Sequence, residues 1–155
     1  MTNIPRGQWV RALTAHPRKT ITGLADELIR NCEMRHHSLP QSGLLLLRMT
    51  EDVMGEDFYL GEMPVASAWI ELHFQDGRVA EGAARVMDDS DRLAVALAVC
   101  DATMANELDG SDRVAELIEQ GMKERDQTDR TRAAMLAKTS VDFSLLTTEI
   151  SNNED

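Results

Sequence analysis

One short segment constrains the fold of this chain more than any other feature of its sequence. Over residues 68–75 two sets of positions alternate: one is apolar, with Ala68, Ile70, Leu72 and Phe74, and the other holds Trp69, Glu71, His73 and Gln75. Such alternation predicts a β-strand with one face in the core and one face in water. The Asp76-Gly77 pair that follows is typical of a two-residue hairpin turn. An antiparallel return strand is therefore expected over residues 78–87, where Gly82 would let another backbone approach closely.

The segments on either side of this hairpin complete an α+β pattern. Helical spacing of apolar residues predicts helices over residues 8–13, 17–29, 91–108 and 111–122. Two further strands are expected, one over residues 43–49 that is buried on both faces, and one over residues 58–65 that is bulged at Gly61 or bent at Pro64. The predicted fold is an antiparallel sheet of about four strands packed with helices, in the order αα-ββββ-αα.

The length of 155 residues suits one domain with a short appendage, and the composition is globular, with 43% hydrophobic and 28% charged residues. We assign residues 1–138 to a single α+β domain. Within it, residues 123–132 are almost wholly polar, which indicates an exposed helix or a linker. Residues 139–155 form a C-terminal tail that is first apolar and then acidic.

The formal net charge of −11 excludes several partner classes. General nucleic-acid binding and attraction to an anionic membrane both require clustered Lys and Arg. Residues 1–50 carry a net charge of +4 and residues 51–155 a net charge of −15, so the two parts differ in their expected neighbours. We find no apolar segment of signal-peptide or membrane-span length. Cys32 and Cys100 are too few for a disulfide framework and are expected in helices as buried thiols, so the predicted location is cytoplasmic.

Motifs for catalysis or metal binding are sparse. The chain lacks the glycine-rich phosphate loops and the Gly-x-Ser-x-Gly elbow of serine hydrolases. Cys32, Glu33, His36 and His37 form the one ligand-rich cluster. A metal site there would need a second convergent pair, so a helix end with two histidines is the better interpretation, and we expect no metal.

Carboxylates and histidines on the predicted strands offer two weaker candidates. His73, beside Trp69 and Glu71 on the polar strand face, has the chemistry of a general base. A solvated or partner-covered sheet face explains the same trio more simply. Glu56 and Glu62 could act as paired carboxylates, although acids on a solvated sheet edge are the commoner case. No catalytic residue is assigned.

Two features predict partner contacts. Trp69 on the polar strand face is costly to leave exposed, which favours a covering partner. In the tail, Val141, Phe143 and Leu146 are too few to build a core, yet apolar enough to dock in a groove. The tail can equally fold back on its own sheet.

The segment from Gly55 to Glu62 has the sequence Gly-Glu-Asp-Phe-Tyr-Leu-Gly-Glu. It resembles the Gly-Glu-x-Phe-x-Leu-Gly-Glu motif of the PhnG family, a subunit of the bacterial carbon–phosphorus lyase system. The motif positions are Gly55, Glu56, Phe58, Leu60, Gly61 and Glu62. Other segments similar to the family are residues 9–16, 42–48, 68–82, 96–102 with Asp101, and 132–143 ending in Val141, Asp142 and Phe143. The chain departs from the family at Ser144, and at Met87-Asp88-Asp89 before the long helix.

The resemblance implies a place in phosphonate catabolism. Family members act with PhnI, PhnH and PhnL in making α-D-ribose 1-methylphosphonate 5-triphosphate, as methylphosphonate displaces adenine from ATP. They also form a core complex with PhnH, PhnI and PhnJ. The implied role is a scaffolding subunit of a transferase, with ATP as substrate of the complex and no cofactor in this chain. Two alternatives stay open, a standalone α+β enzyme using His73 and Glu71, and a dimeric adaptor unrelated to phosphonates. A homodimer of the isolated chain is also compatible with the sequence.

Overall fold

Three antiparallel strands and four α-helices make up residues 2–139, the part of the chain that the computed structural model describes. The helices are α1 (Trp9–Leu13), α2 (Arg18–Leu28), α3 (Asp91–Ala105) and α4 (Ser111–Thr139). The strands are β1 (Cys32–Thr50), β2 (Asp57–Phe74) and β3 (Val79–Val86), in the sheet order β1-β2-β3. The predicted α+β class is confirmed.

Among the described residues, those up to Met122 form one compact unit, and those from Lys123 to Thr139 belong to a second. In the described part of the second unit, the chain is helical through Thr139 and mostly exposed. The polar stretch over residues 123–132 is therefore a helix, which is one of the two predicted alternatives. The predicted domain boundary at residue 138 stays a prediction, since the tail beyond Thr139 lies outside the described residues.

The core of the first unit lies between the sheet and α3, and buried residues of α1, α2 and the first part of α4 extend it. Every second residue of β3 is buried, and β2 buries Ala66, Ala68, Ile70 and Leu72 on the same face. Ser90 caps α3 by accepting a hydrogen bond from the Leu93 backbone N–H at 3.2 Å. A Cβ placed on Gly82 would overlap the backbone of α3, so the close approach expected at this glycine is confirmed.

The β2–β3 hairpin falls where the sequence predicts it, but its loop has three residues rather than two. The Phe74 N–H donates to the Arg78 carbonyl at 3.0 Å, which encloses residues 75–77. Gly77 has φ +86°, the left-handed conformation that completes a three-residue turn at low steric cost.

The sheet has three strands where about four were expected, because two predicted strands are one. Gly61 and Pro64, which suggested an interruption, both lie inside β2. A bulge absorbs the irregularity at Gly61, as one of the two predicted options required. β3 pairs with β2 only as far as Ala66, so Pro64 breaks no bond to that strand.

The prediction that the ligand-rich cluster near residue 32 lies at a helix end is wrong. α2 ends at Leu28, and Cys32 opens strand β1. From Cys32 to Arg35 the burial of successive residues alternates, which is the period of a strand. Cys100 lies fully buried in α3 as expected, whereas Cys32 is only half-buried.

The prediction that residues 43–49 are buried on both faces is also wrong. These residues do form a strand, as part of β1, but Leu44 to Leu47 are 38–64% exposed. Four consecutive leucines with water on both faces require another explanation than a core.

Candidate functional site

The face of the sheet opposite α3 carries a cluster of polar and aromatic side chains, which we call the His–Glu cluster. Its members are His37 of β1 and Trp69, Glu71 and His73 of β2. The three β2 residues are the ones predicted to share a polar face. They alternate with buried residues, which confirms that expectation.

His37 joins the cluster through an irregularity in the pairing of β1 with β2. His36 lies opposite Ile70 and Ser38 opposite Trp69, so His37 is an extra residue in the ladder. Its ring stacks on Trp69, with ring centroids 3.8 Å apart and an interplanar angle of 26°. An assignment of His37 to a helix end hides this contact. The alternation over residues 32–35 was the sequence signal that could have revealed it.

Glu71 lies between two imidazoles. Its Oε1 is 3.1 Å from His37 Nδ1, and its Oε2 is 2.8 Å from His73 Nε2. Hydrogen bonds from the two rings lower the pKa of Glu71 below its ordinary value. The carboxylate therefore stays ionised and fixes the orientation of both rings.

This arrangement can orient an imidazole as a general base, because a carboxylate on one ring nitrogen leaves the other available. The cluster lies open to solvent, however, with Trp69 40% exposed. A neighbouring open cavity of about 440 Å³ is lined on its polar side by Ser38, Gln41, Ser67 and Arg85. The combination is equally suited to a surface that another protein covers.

The other candidate sites from the sequence are not brought together. Cys32 and His36 pair with Phe74 and Ile70 on the core side of the sheet, whereas Glu33 pairs with His73 on the opposite side. Within residues 2–139, no group of three His, Cys, Asp or Glu side chains has a metal-binding arrangement. Glu56 lies just before β2 and Glu62 six positions further along the extended chain, on the order of 20 Å away, which is too far for paired carboxylates.

A second surface is the long two-stranded extension of the sheet, which we call the ribbon and define as residues 41–65. Its strands pair with each other beyond the end of β3. Its large exposed apolar side chains are Leu44, Leu45, Leu46, Leu47, Met49, Val53, Met54, Phe58, Tyr59 and Leu60. The motif from Gly55 to Glu62 occupies the turn of the ribbon and the start of β2, and Gly55 has φ +71° in that turn.

Asp101, the motif residue on α3, has a structural position. Its carboxylate accepts two hydrogen bonds from Arg6, at 2.8 and 2.6 Å, and one from the Ala83 backbone N–H at 3.0 Å. The side chain is nearly buried. Asp101 therefore connects the N-terminal segment, α3 and β3. The sequence identifies this residue through the family resemblance, but it does not indicate this structural role.

The remaining predicted interface residues are Val141, Phe143 and Leu146, and they lie with Asp142 outside the described residues. Their docking stays a prediction. Among the described helices, none is long and apolar enough to cross a membrane.

Comparison with known proteins gives one family. The family model described as phosphonate metabolism protein PhnG matches residues 4–148, which is nearly the whole chain. No curated protein matches the chain. The match includes both the His–Glu cluster and the ribbon.

Proposed function

The chain belongs to the PhnG family of phosphonate metabolism proteins, and from that premise we propose that it is a scaffolding subunit of the carbon–phosphorus lyase core complex. Its partners are subunits of the PhnI, PhnH, PhnJ and PhnL types. The complex converts ATP and methylphosphonate to α-D-ribose 1-methylphosphonate 5-triphosphate and adenine. This chain supports that transferase reaction without a cofactor of its own.

One observation carries the scaffolding role, which is the exposed apolar surface of the ribbon. Leu44 is 64% and Leu46 60% exposed on a ribbon that extends beyond β3. Covering a leucine side chain contributes about 1.5–3 kcal/mol when it goes from exposed to buried. Leaving so many such side chains in water is typical of a subunit whose interface is completed by another protein.

The charge of the chain supports a non-catalytic role. A triphosphate is held by cations or by clustered backbone amides. A chain with a net charge of −11 and no phosphate loop is poorly suited to bind that substrate alone. We further propose a cytoplasmic location, since both cysteines are free thiols.

Co-expression with the PhnI-type subunit tests the proposal. We expect the chain alone to self-associate or aggregate, and to form a complex of defined mass with the partner. Size-exclusion chromatography with light scattering measures both. The proposal would be contradicted if the chain were monomeric at high concentration and bound none of the PhnI-, PhnH-, PhnJ- and PhnL-type subunits.

The His–Glu cluster favours one other candidate function, a general-base enzyme using His73 and Glu71, because Glu71 orients two imidazoles. His73→Ala in the assembled complex separates the two roles. Loss of triphosphate synthesis with assembly intact favours the enzyme, whereas unchanged synthesis favours the scaffold. Arg85→Ala, which alters the same face outside the hydrogen-bonded cluster, is the control.

A further inference from the structure

We propose that the ribbon inserts into an apolar cleft of a partner protein, and that this cleft ends in lysine or arginine side chains. The inference rests on the proposed scaffolding function, because it names the element that docks and the chemistry of the surface that receives it. The PhnI-type subunit is the partner chosen for the test. Three properties of the ribbon lead to this conclusion.

The first property is a face of the ribbon on which no paired strand residue is charged. Paired residues of neighbouring strands share a face, so the register defines its members. They are Gly43, Leu45, Leu47 and Met49 on β1 and Phe58, Gly61, Met63 and Val65 on β2. We call this set the apolar stripe, and it lies on the same face of the sheet as the His–Glu cluster.

A bulge makes the apolar stripe continuous. Leu47 lies opposite Gly61 and the next residue of β1 opposite Tyr59, so Leu60 is an extra residue in β2. Without that extra residue, Phe58 would fall on the other face, since a shift of one residue exchanges the faces of a strand. Gly61, with φ +157°, stands at this bulge. The bulge therefore aligns Phe58 with Leu47 and Met63.

The second property is that the opposite face of the ribbon is also partly apolar. Leu44, Leu46 and Tyr59 are 60–66% exposed there, among the charged residues Arg48 and Glu62. A flat partner surface would cover one face and leave these side chains in water. A cleft with two walls covers both, which is why we infer insertion rather than apposition.

The third property is the charge at the end of the ribbon. Residues 41–65 contain Arg48 as their one cation and five acids, four of which are clustered around the turn. The five acids are Glu51, Asp52, Glu56, Asp57 and Glu62. Arg48 lies 3.4 Å from Asp57, so the turn remains strongly negative after this pair forms. We therefore expect the cleft that receives the turn to carry positive side chains where it contacts these acids. A second copy of this ribbon would bring five more acids, which disfavours a homodimer through this element.

The experiment uses the full chain and the purified PhnI-type subunit, with the dissociation constant measured by calorimetry. In the ribbon variant Leu45→Thr/Leu47→Thr, threonine keeps the strand preference but removes apolar surface. We expect it to bind about a hundredfold more weakly. The control is Val79→Thr, at a position of β3 that is 51% exposed and lies outside the ribbon, and it should bind like the unaltered chain.

The outcomes separate the inference from the proposed function. If the unaltered chain binds none of the PhnI-, PhnH-, PhnJ- and PhnL-type subunits, the proposed function fails. If the unaltered chain binds and the ribbon variant binds equally well, the ribbon inference fails alone. A melting temperature several degrees below that of the Val79→Thr control would also overturn the inference, because it would mean that the stripe packs within this chain.

A second variant tests the charged end of the cleft. Asp52→Asn/Glu56→Gln removes two charges from the turn while keeping the shape of both side chains. We expect binding to weaken about tenfold at low salt, and its dependence on salt concentration to decrease. Unchanged affinity and unchanged salt dependence would contradict the inference that the cleft ends in lysine or arginine side chains. A homodimer that the Leu45→Thr/Leu47→Thr variant dissociates, with binding of the PhnI-type subunit unaffected, would assign the ribbon to a second copy instead.

Discussion

Asp101 shows what one buried carboxylate contributes to the first unit. It accepts hydrogen bonds from Arg6 and from the Ala83 backbone, and its side chain is 9% exposed. We expect Asp101→Asn to lower the free energy of unfolding by about 2 kcal/mol, because it removes charge-assisted hydrogen bonds from a nearly buried group. Urea unfolding followed by circular dichroism measures the change.

The control for this variant is Asp26→Asn. Asp26 pairs with Arg92 at 3.0 Å, but both side chains are more than half exposed, so its loss should cost less than about 1 kcal/mol. Equal effects of the two substitutions would show that the buried contacts of Asp101 add nothing to those of a surface ion pair.

Glu71 predicts a dependence of stability on pH. Hydrogen bonds from His37 and His73 lower the pKa of Glu71 in the folded state. A lowered pKa stabilises the fold above the pKa of the unfolded chain, near 4.5, and this contribution is lost as the pH falls through the folded value. The stability difference between the unaltered chain and Glu71→Gln should therefore shrink as the pH falls below about 5. Glu119→Gln, at an exposed position of α4, is the control, and an identical acid profile for both variants would contradict the prediction.

At the scale of elements, the close packing of β3 on α3 depends on Gly82. A Cβ at this position would meet the backbone of Ala98 and Ala102, and helix backbone cannot move aside as a flexible side chain does. We expect Gly82→Ala to destabilise the first unit by about 3 kcal/mol, measured by thermal and urea unfolding. Gly43→Ala is the matched strand control, because a Cβ there meets nothing within 4 Å. A Gly82→Ala protein as stable as this control would mean that the strand and helix separate easily.

The elements also show where sequence reasoning succeeded and where it failed. Residues 68–75 were predictable because alternation defines both the strand and its buried face. The strand predicted over residues 43–49 is present, but its predicted burial is wrong. A run of leucines indicates that a surface is buried, but it does not indicate whether this chain or another protein buries it. Pro64 suggested a bend in the strand, yet it lies beyond the end of β3, so its missing N–H removes no hydrogen bond to that strand. The alternation over residues 32–35 indicates a strand, but nothing in the sequence indicates the irregularity that brings His37 beside Trp69.

At the scale of the whole molecule, family and fold class could be predicted, whereas the surface arrangement could not. The motif from Gly55 to Glu62 and the order of the other similar segments are properties of the sequence, and the family match agrees with them. The His–Glu cluster and the apolar stripe depend on irregular pairing at His37 and Leu60. A shift of one residue changes which side chains meet, and composition carries no information about it.

The net charge of the whole chain leads to a prediction about ATP. With a net charge of −11 and an acidic turn on the ribbon, the field of the chain opposes a polyanion, and the sequence offers no phosphate loop. We expect the isolated chain to bind ATP with a dissociation constant weaker than about 10 μM, or roughly −7 kcal/mol. Calorimetry with the isolated chain measures this value, and the same titration of the complex with the PhnI-type subunit is the control for active nucleotide. If the complex binds ATP and the isolated chain does not, the nucleotide site is completed by the partner. Tight binding by the isolated chain would instead mean that its own side chains form a triphosphate site, which would contradict the scaffolding role.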